Sequence, residues 1–475
     1  MSLCREDSET ERLQSCALVV SVIGSFLTAF MSSSINIALP AISSEFSMDA
    51  VMLSWISTAF LLAAAVFLVP FGRLADIYGR RRIFGYGIAL FTLASILAPA
   101  SRSASMIIAA RFVQGIGAAM IFGTAVAILT CVFPIRKRGR VIGINAASVY
   151  LGLSLGPVLG GILTQYLGWR SLFTATVPLG ALALALLILK LRGEWADARG
   201  ERFDLAGSLV YAISIMALVY GMSLLPSSAG RFVAAAGLAG LILFLYLEMR
   251  AESPVLEVDL FTSNRIFAFS NLAALINYSA TFATGFLLSL YLQYIKGLDP
   301  RSAGLVLLAQ PLMMTIFSPF AGRLSDRMEP RLVASAGMII TLLGILPFVF
   351  LDERTPVWLI GAVLLLLGFG LALFTSPNTN AIMSSVDRKY YGIASATLGT
   401  MRLLGQMLSM SLAMVIFAIY IGRVEITPDT YSSLMESCRI AFAIFSVLCF
   451  IGIFASLARG ELRSGSAARG SGEDL

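Results

Sequence analysis

A five-residue run occurs twice in this 475-residue chain. Gly72-Arg73-Leu74-Ala75-Asp76 returns as Gly322-Arg323-Leu324-Ser325-Asp326, each time at the end of a long apolar stretch. The copies stand 250 residues apart, room for eight membrane crossings at roughly 30 residues per crossing and loop. An even number of crossings returns both copies to the same side of a bilayer. The chain therefore reads as two half-domains of like orientation, a plan on which many secondary transporters are built.

Composition agrees. The chain is 58% hydrophobic and 13% charged, with mean hydropathy +0.87, whereas about a quarter of the residues of a soluble domain carry charge. Apolar runs near the 20 residues that a helical crossing needs predict helices at 17–39, 52–70, 83–100, 105–132, 141–165, 170–191, 205–226 and 231–249. Six more are predicted at 266–294, 303–321, 332–350, 356–376, 390–420 and 438–458. The expected architecture is an all-α integral membrane protein. A tail over 1–16 leads into a six-helix bundle over 17–191. Two inserted helices over 205–249 precede a second six-helix bundle over 266–458, and a disordered tail rich in Gly, Ser, Arg and Ala covers 459–475.

Fourteen spans put both tails on one side. Of the 34 lysines and arginines, 24 fall in the tails and loops of that side and 8 in the opposite loops; Arg111 and Arg402 lie within helices. Positive charge gathers on the cytoplasmic side, so both termini are predicted in the cytoplasm and the protein in the plasma membrane. The net charge of +7 is then a matter of topology and gives no reason to expect nucleic acid. Cys4, Cys16, Cys131, Cys438 and Cys449 show neither ligand spacing nor an even count. The chain has no histidine, which removes imidazole ligands and bases, and no phosphate-binding glycine-lysine loop. Enzyme chemistry, a cofactor and ATP hydrolysis are not expected. The predicted partners are a small-molecule substrate and the bilayer. Nothing in the sequence calls for more than a monomer, and transport is expected to be passive or driven by an ion gradient.

The first copy of the repeat continues through Ile77-Tyr78-Gly79-Arg80-Arg81-Arg82 and resembles the signature between helices 2 and 3 of the major facilitator superfamily. The resemblance implies that Asp76 meets basic groups and a helix N-terminus of the other half, where a carboxylate is stabilised, and latches the cytoplasmic side shut. Gly72, Arg73, Gly79, Arg80 and Arg81 would share in that latch, with Gly322, Arg323 and Asp326 as its second copy; Glu329 stands there in place of Gly79. The partner is expected at helix 13, just after Asp387-Arg388-Lys389.

Further motifs follow in family order. On helix 4, Arg111-Phe112-Val113-Gln114-Gly115 is similar to the family's arginine motif. Arg111 either tunes a proton site or contacts substrate, or it makes a structural hydrogen bond to carbonyls and Gln114. On helix 5, Gly152, Gly156, Pro157, Gly160 and Gly161 resemble the antiporter motif of exporters. The end of helix 1, through Asn36 and Pro40, resembles the fourteen-helix drug:proton antiporters, with Met31 at the place of an acid common in that branch. On helix 13, Arg402-Leu403-Leu404-Gly405 is similar to a pattern of the same branch. Asn277, Thr281 and Thr284 of helix 9 fall on one helical stripe, either lining a cavity or bonding neighbouring helices. Met31, Asn36 and Met314 complete the candidate cavity. The resemblance implies export of small amphipathic compounds by alternating access, coupled to the proton gradient. The alternative is a facilitator or symporter for a neutral or anionic metabolite.

Overall fold

The structure is a computed structural model. It describes residues 2–201, 203–250, 259–386 and 391–460, with side chains from residue 11 onward apart from 135 and 136. The segment Asp387-Arg388-Lys389 and the tail beyond 460 lie outside the described residues. Fourteen helices are long and apolar enough to cross a membrane. The first six are α1 (Glu11–Phe46), α2 (Ala50–Tyr78), α3 (Arg80–Ala100), α4 (Ala104–Val132), α5 (Lys137–Leu167) and α6 (Arg170–Leu189). An inserted pair follows, α7 (Leu205–Ser223) and α8 (Ser228–Glu248). The last six are α9 (Arg265–Ile295), α10 (Pro300–Arg327), α11 (Pro330–Phe350), α12 (Val357–Ser384), α13 (Tyr391–Tyr420) and α14 (Pro428–Leu457). The side on which the chain enters α1 and leaves α14 is termed the tail face here, and the other the far face.

Helix starts follow from local chemistry. Asp49, Ser103, Asp204, Ser227, Asn264 and Asp299 each accept a first-turn amide proton with the side chain, satisfying a donor that the helix leaves free. Pro300 and Pro330 open α10 and α11, where a missing N–H costs nothing.

Several helices run past their apolar stretches. Residues 2–16, read as a tail, continue the helix of α1. The α2 helix runs to Tyr78 and α10 to Arg327, so each copy of the repeat closes its helix. The α12 helix continues to Ser384 because Asn378 donates to the Ser270 carbonyl and Asn380 to Ser325. Hydropathy marks where the bilayer core ends, not where the helix does.

The α9 helix departs from the expected single stripe. It breaks at Phe282–Ala283, between Arg265–Thr281 and Thr284–Leu290, and ends in a π-helical turn at Tyr291–Ile295. Ser409 of α13 accepts the Ala283 amide proton at 3.0 Å, relieving the ladder where it fails. Asn277 and Thr281 therefore share a helix that Thr284 does not.

Two six-helix bundles result, α1–α6 and α9–α14, which meet along two seams, α2 with α13 and α5 with α10. The inserted α7 lies against α2 and α13 together, and the Tyr211 hydroxyl donates to the Ala65 carbonyl of α2 at 3.1 Å. The inserted pair thus covers one seam, leaving α5 and α10 as the other.

Candidate functional site

The α5–α10 seam is closed on the far side by backbone contact. A Cβ built on Gly304 of α10 would stand 2.1 Å from the Pro157 carbonyl oxygen of α5, and one on Gly161 2.4 Å from the Pro300 carbonyl oxygen. Only hydrogen fits at either place. Gly152, Gly156 and Gly160 point elsewhere, onto Phe26, Ser33 and Ser34 of α1. The glycine string thus serves two contacts, one inside its own bundle and one between bundles. Ser154 and Thr315 meet at 3.2 Å at the inner edge of the seal.

A second closure joins α1 to α9. Pro40 has no N–H, so the Asn36 carbonyl loses its partner in the helix; Ser289 of the other bundle donates to that oxygen at 2.7 Å. Gln293 donates to the Ile37 carbonyl at 3.1 Å, and the Asn36 side chain accepts from Ser57. Beyond them the Ala50 amide donates to Val424, and Asp49 pairs with Glu425 as a short antiparallel bridge. The bonds between bundles cluster on the far side. On the tail side α5 exposes Gly143, Ile144, Ala146 and Ala147, and Cβ atoms on Gly139, Gly143 and Gly322 would meet nothing within 4 Å. This conformer is shut on the far face and open towards the tail face.

Interhelical hydrogen bonds in membranes average about 0.6 kcal/mol. Exchanging both Ser289 and Gln293 for alanine is therefore expected to raise the far-open population severalfold. Spin labels at Arg102 and Arg354, in far-face loops of opposite bundles, would report it as a longer-distance component. An unchanged distance distribution would exclude these bonds from the closure.

The repeat forms a charged platform at the tail face. Arg80 pairs with Asp76 at 2.6 Å and Asp197 at 2.9 Å, and donates to the Cys131 sulfur at 2.7 Å. Arg73 pairs with Glu201 at 2.5 Å, and the Arg81 amide donates to Glu194. Gly79 adopts φ +117°, and the Glu194 carboxyl group lies where its Cβ would be; any other residue there is strained and obstructed. Among the described residues the partners of Asp76 all belong to its own side of the seams: Arg80, and the Ala198 amide on its carbonyl. The loop between α6 and α7 supplies the acids, a role that the sequence reading missed. A single signal existed, the alternation of Glu194, Asp197 and Glu201 after a basic run. In the second copy Asn380 donates to Asp326, Arg323 is exposed, and Glu329, followed by Pro330, stands in place of the glycine turn.

The two intramembrane arginines have opposite environments. Arg111 is fully buried inside the first bundle. Its Nε donates to the Ile56 carbonyl at 3.2 Å, its Nη1 to Gln114, and its guanidinium lies 4.3 Å from the Phe60 ring centre. Gln114 passes the chain on to Ser95 at 2.8 Å. Of the alternatives for Arg111, this geometry is that of the structural hydrogen-bond network. Arg402 is half-buried where the bundles meet, 5.9 Å from the Phe122 ring centre. Beside it stands Tyr150 of α5, itself within reach of Tyr278 and Ser318.

The other candidate cavity residues divide. Met31, Asn277 and Thr284 are fully buried, Thr281 nearly so, and Asn36 belongs to the far-side closure. Met314 is buried on α10 at the edge of the core. Phe122 and Tyr150 are half-buried beside Arg402, and the half-buried Tyr278 lies within reach of Tyr150. Tyr150 and Phe122 escaped notice because nothing in a single sequence registers α4 and α5 against α13.

Two six-helix bundles joined by two seams, shut on one face around a midplane arginine, make a membrane transporter. The chain belongs to the Major Facilitator Superfamily, whose family profile matches residues 21–253 and 271–474. Among curated relatives it is 30% identical to the Riboflavin transporter RibZ of Clostridioides difficile (strain 630), over 92% of this chain and 95% of that one. It is 33% identical to the Multidrug resistance protein Stp of Mycobacterium tuberculosis (strain CDC 1551 / Oshkosh), over 83% of this chain and 74% of that one. A solved structure of peptide transporter POT in complex with sulfate shares the fold with TM-score 0.67 at 14% identity, over 92% of this chain and 94% of that one.

Proposed function

We propose that this transporter exports small amphipathic compounds, in the manner of multidrug efflux, by alternating access. In this reading the tail face lies in the cytoplasm, the membrane is the plasma membrane, the unit is a monomer, and the proton gradient supplies the energy. The observation that carries the proposal is the double use of α5. Gly152, Gly156 and Gly160 fasten it to α1 while Gly161 and the Pro157 carbonyl meet α10, so one rigid bundle can part from the other along a seam whose tightest contacts are backbone. The relation to Stp and the bias of basic residues to the tail face support direction and orientation. A second reading, transport of a neutral or anionic metabolite, is favoured by Arg402 having no carboxylate partner among the described residues and by the relation to RibZ.

Reconstituted protein tests the energetics. Dye accumulation in proteoliposomes beyond equilibrium, only while a pH gradient is imposed, is the expected result; equilibration alone would leave a facilitator. In the described spans no carboxylate lies within one turn of the middle of its helix, and the repeat places Asp76 at the end of α2 and Asp326 at the end of α10, beside the two seams. Gradient dependence that survives Asp76→Asn would remove Asp76 as the proton carrier.

A further inference from the structure

Arg402 stands within about one turn of the middle of its span, and so do Phe122, Tyr150 and Tyr278 on α4, α5 and α9. These four residues come from both bundles. Phe122 and Tyr150 belong to the first, Tyr278 and Arg402 to the second. They lie one turn below the Ser154–Thr315 contact at which the far-side seal begins.

A charged side chain at this depth is costly and marks function unless it is satisfied by protein. Arg111 shows how the chain satisfies one, with carbonyl, amide and ring around a guanidinium that has no exposure. Among the described residues Arg402 has a ring but neither the carbonyl nor the amide. Among the described residues its neighbours are the Phe122 ring and the Tyr150 hydroxyl, with no carboxylate.

We propose that Arg402, with Phe122 and Tyr150 beside it and Tyr278 next to Tyr150, is the substrate-recognition site and takes planar aromatic compounds that carry a negative charge or a strong acceptor edge. The proposal rests on the transporter reading above and adds the substrate class. A planar guanidinium binds carboxylate and similar groups by two parallel hydrogen bonds and stacks on aromatic faces. The surrounding rings offer flat contact to an aromatic body. A lipophilic cation meets like charge instead, in surroundings where charges interact several times more strongly than in water. A ligand held between residues of both bundles also draws them together below the seal, so binding and closure share the same contacts.

Fluorescein and rhodamine 123 test this, since both are flat xanthene dyes and differ in the sign of their charge. Binding to the purified full chain, followed by fluorescence anisotropy, reads the site without regard to direction or coupling. Fluorescein is expected to bind at least tenfold more tightly than rhodamine 123. Arg402→Gln should weaken fluorescein roughly tenfold to a hundredfold, the range for a lost charge-assisted bond, leave rhodamine unchanged or improved, and leave thermal stability unchanged. Tyr150→Leu should weaken both dyes. Tighter binding of rhodamine, binding of neither dye, or fluorescein affinity unaltered by Arg402→Gln would overturn the site. Equal loss of both dyes together with a lower melting temperature would make Arg402 structural and overturn it too. Fluorescein that binds but is never moved across proteoliposomes would leave the site standing and remove the export reading.

Discussion

Replacing Gly304 with valine is expected to lower transport at least tenfold while both bundles stay folded. The Cβ would fall 2.1 Å from the Pro157 carbonyl oxygen, and that oxygen belongs to a helix backbone held by its own glycines against α1. Neither side can yield by rotating a side chain. Overpacking at close contacts costs about 1–3 kcal/mol even where some relaxation is possible, which corresponds to roughly a fivefold to more than a hundredfold change in population. The clash exists only when α5 and α10 meet, so it weighs on the far-closed state and spares the far-open one. Gly161→Val, facing the Pro300 carbonyl at 2.4 Å, should behave alike. Gly156→Val should not. Its Cβ would strike Ser33 and Ser34 of α1 within the same bundle in every state, so the expected result there is loss of stability. Transport rates, the Arg102–Arg354 label distance and thermal unfolding together separate the cases. Gly304→Val protein that transports within twofold of the parent, or that fails only because it unfolds, would exclude this contact as the seal.

These contrasts explain what could be read from the chain and what could not. The fold class was legible because it depends on apolar length and on a repeat, both properties of a one-dimensional string. The importance of the α5 glycines was legible too, since four-residue spacing places Gly152, Gly156 and Gly160 on one face. Which glycine faces which neighbour was not. Gly161 lies only one residue from Gly160 yet turns towards Pro300 of the other bundle, and Gly304, which meets Pro157, carries no motif. Pro40 held an unread signal. A proline in a helix frees the carbonyl four residues before it, here that of Asn36, and a residue on another helix was bound to claim it. Finding Ser289 required the fold. Asp76 was recognised by its repeat, but its acidic neighbours come from a loop that joins the first bundle to the inserted pair, and no spacing rule reaches from residue 76 to residue 197.

Arg111 supplies the sharpest test of whether an intramembrane arginine is structural. Arg111→Met removes the guanidinium from a site with no exposure and strands the Gln114 side-chain oxygen, at about 1–3 kcal/mol for a buried unsatisfied group. Lost contact with the Phe60 face adds about 0.5–2 kcal/mol. A stability loss on the order of 3 kcal/mol is expected, read as a lower melting temperature in detergent. Dye affinity per folded molecule should be unchanged, because Arg111 lies between α2, α3 and α4, where Ile56, Phe60, Gln114 and Ser95 enclose it. Arg402→Met should give the reverse, with stability kept and affinity lost. If Arg111→Met instead melts like the parent and loses dye binding, the buried network transmits to the cavity and the division of labour between the two arginines fails. The same charge in the same bilayer then serves two ends according to its neighbours. Saturated by carbonyl, amide and ring it holds a bundle together, and with no carboxylate partner among the described residues, between two bundles, it is available to a ligand.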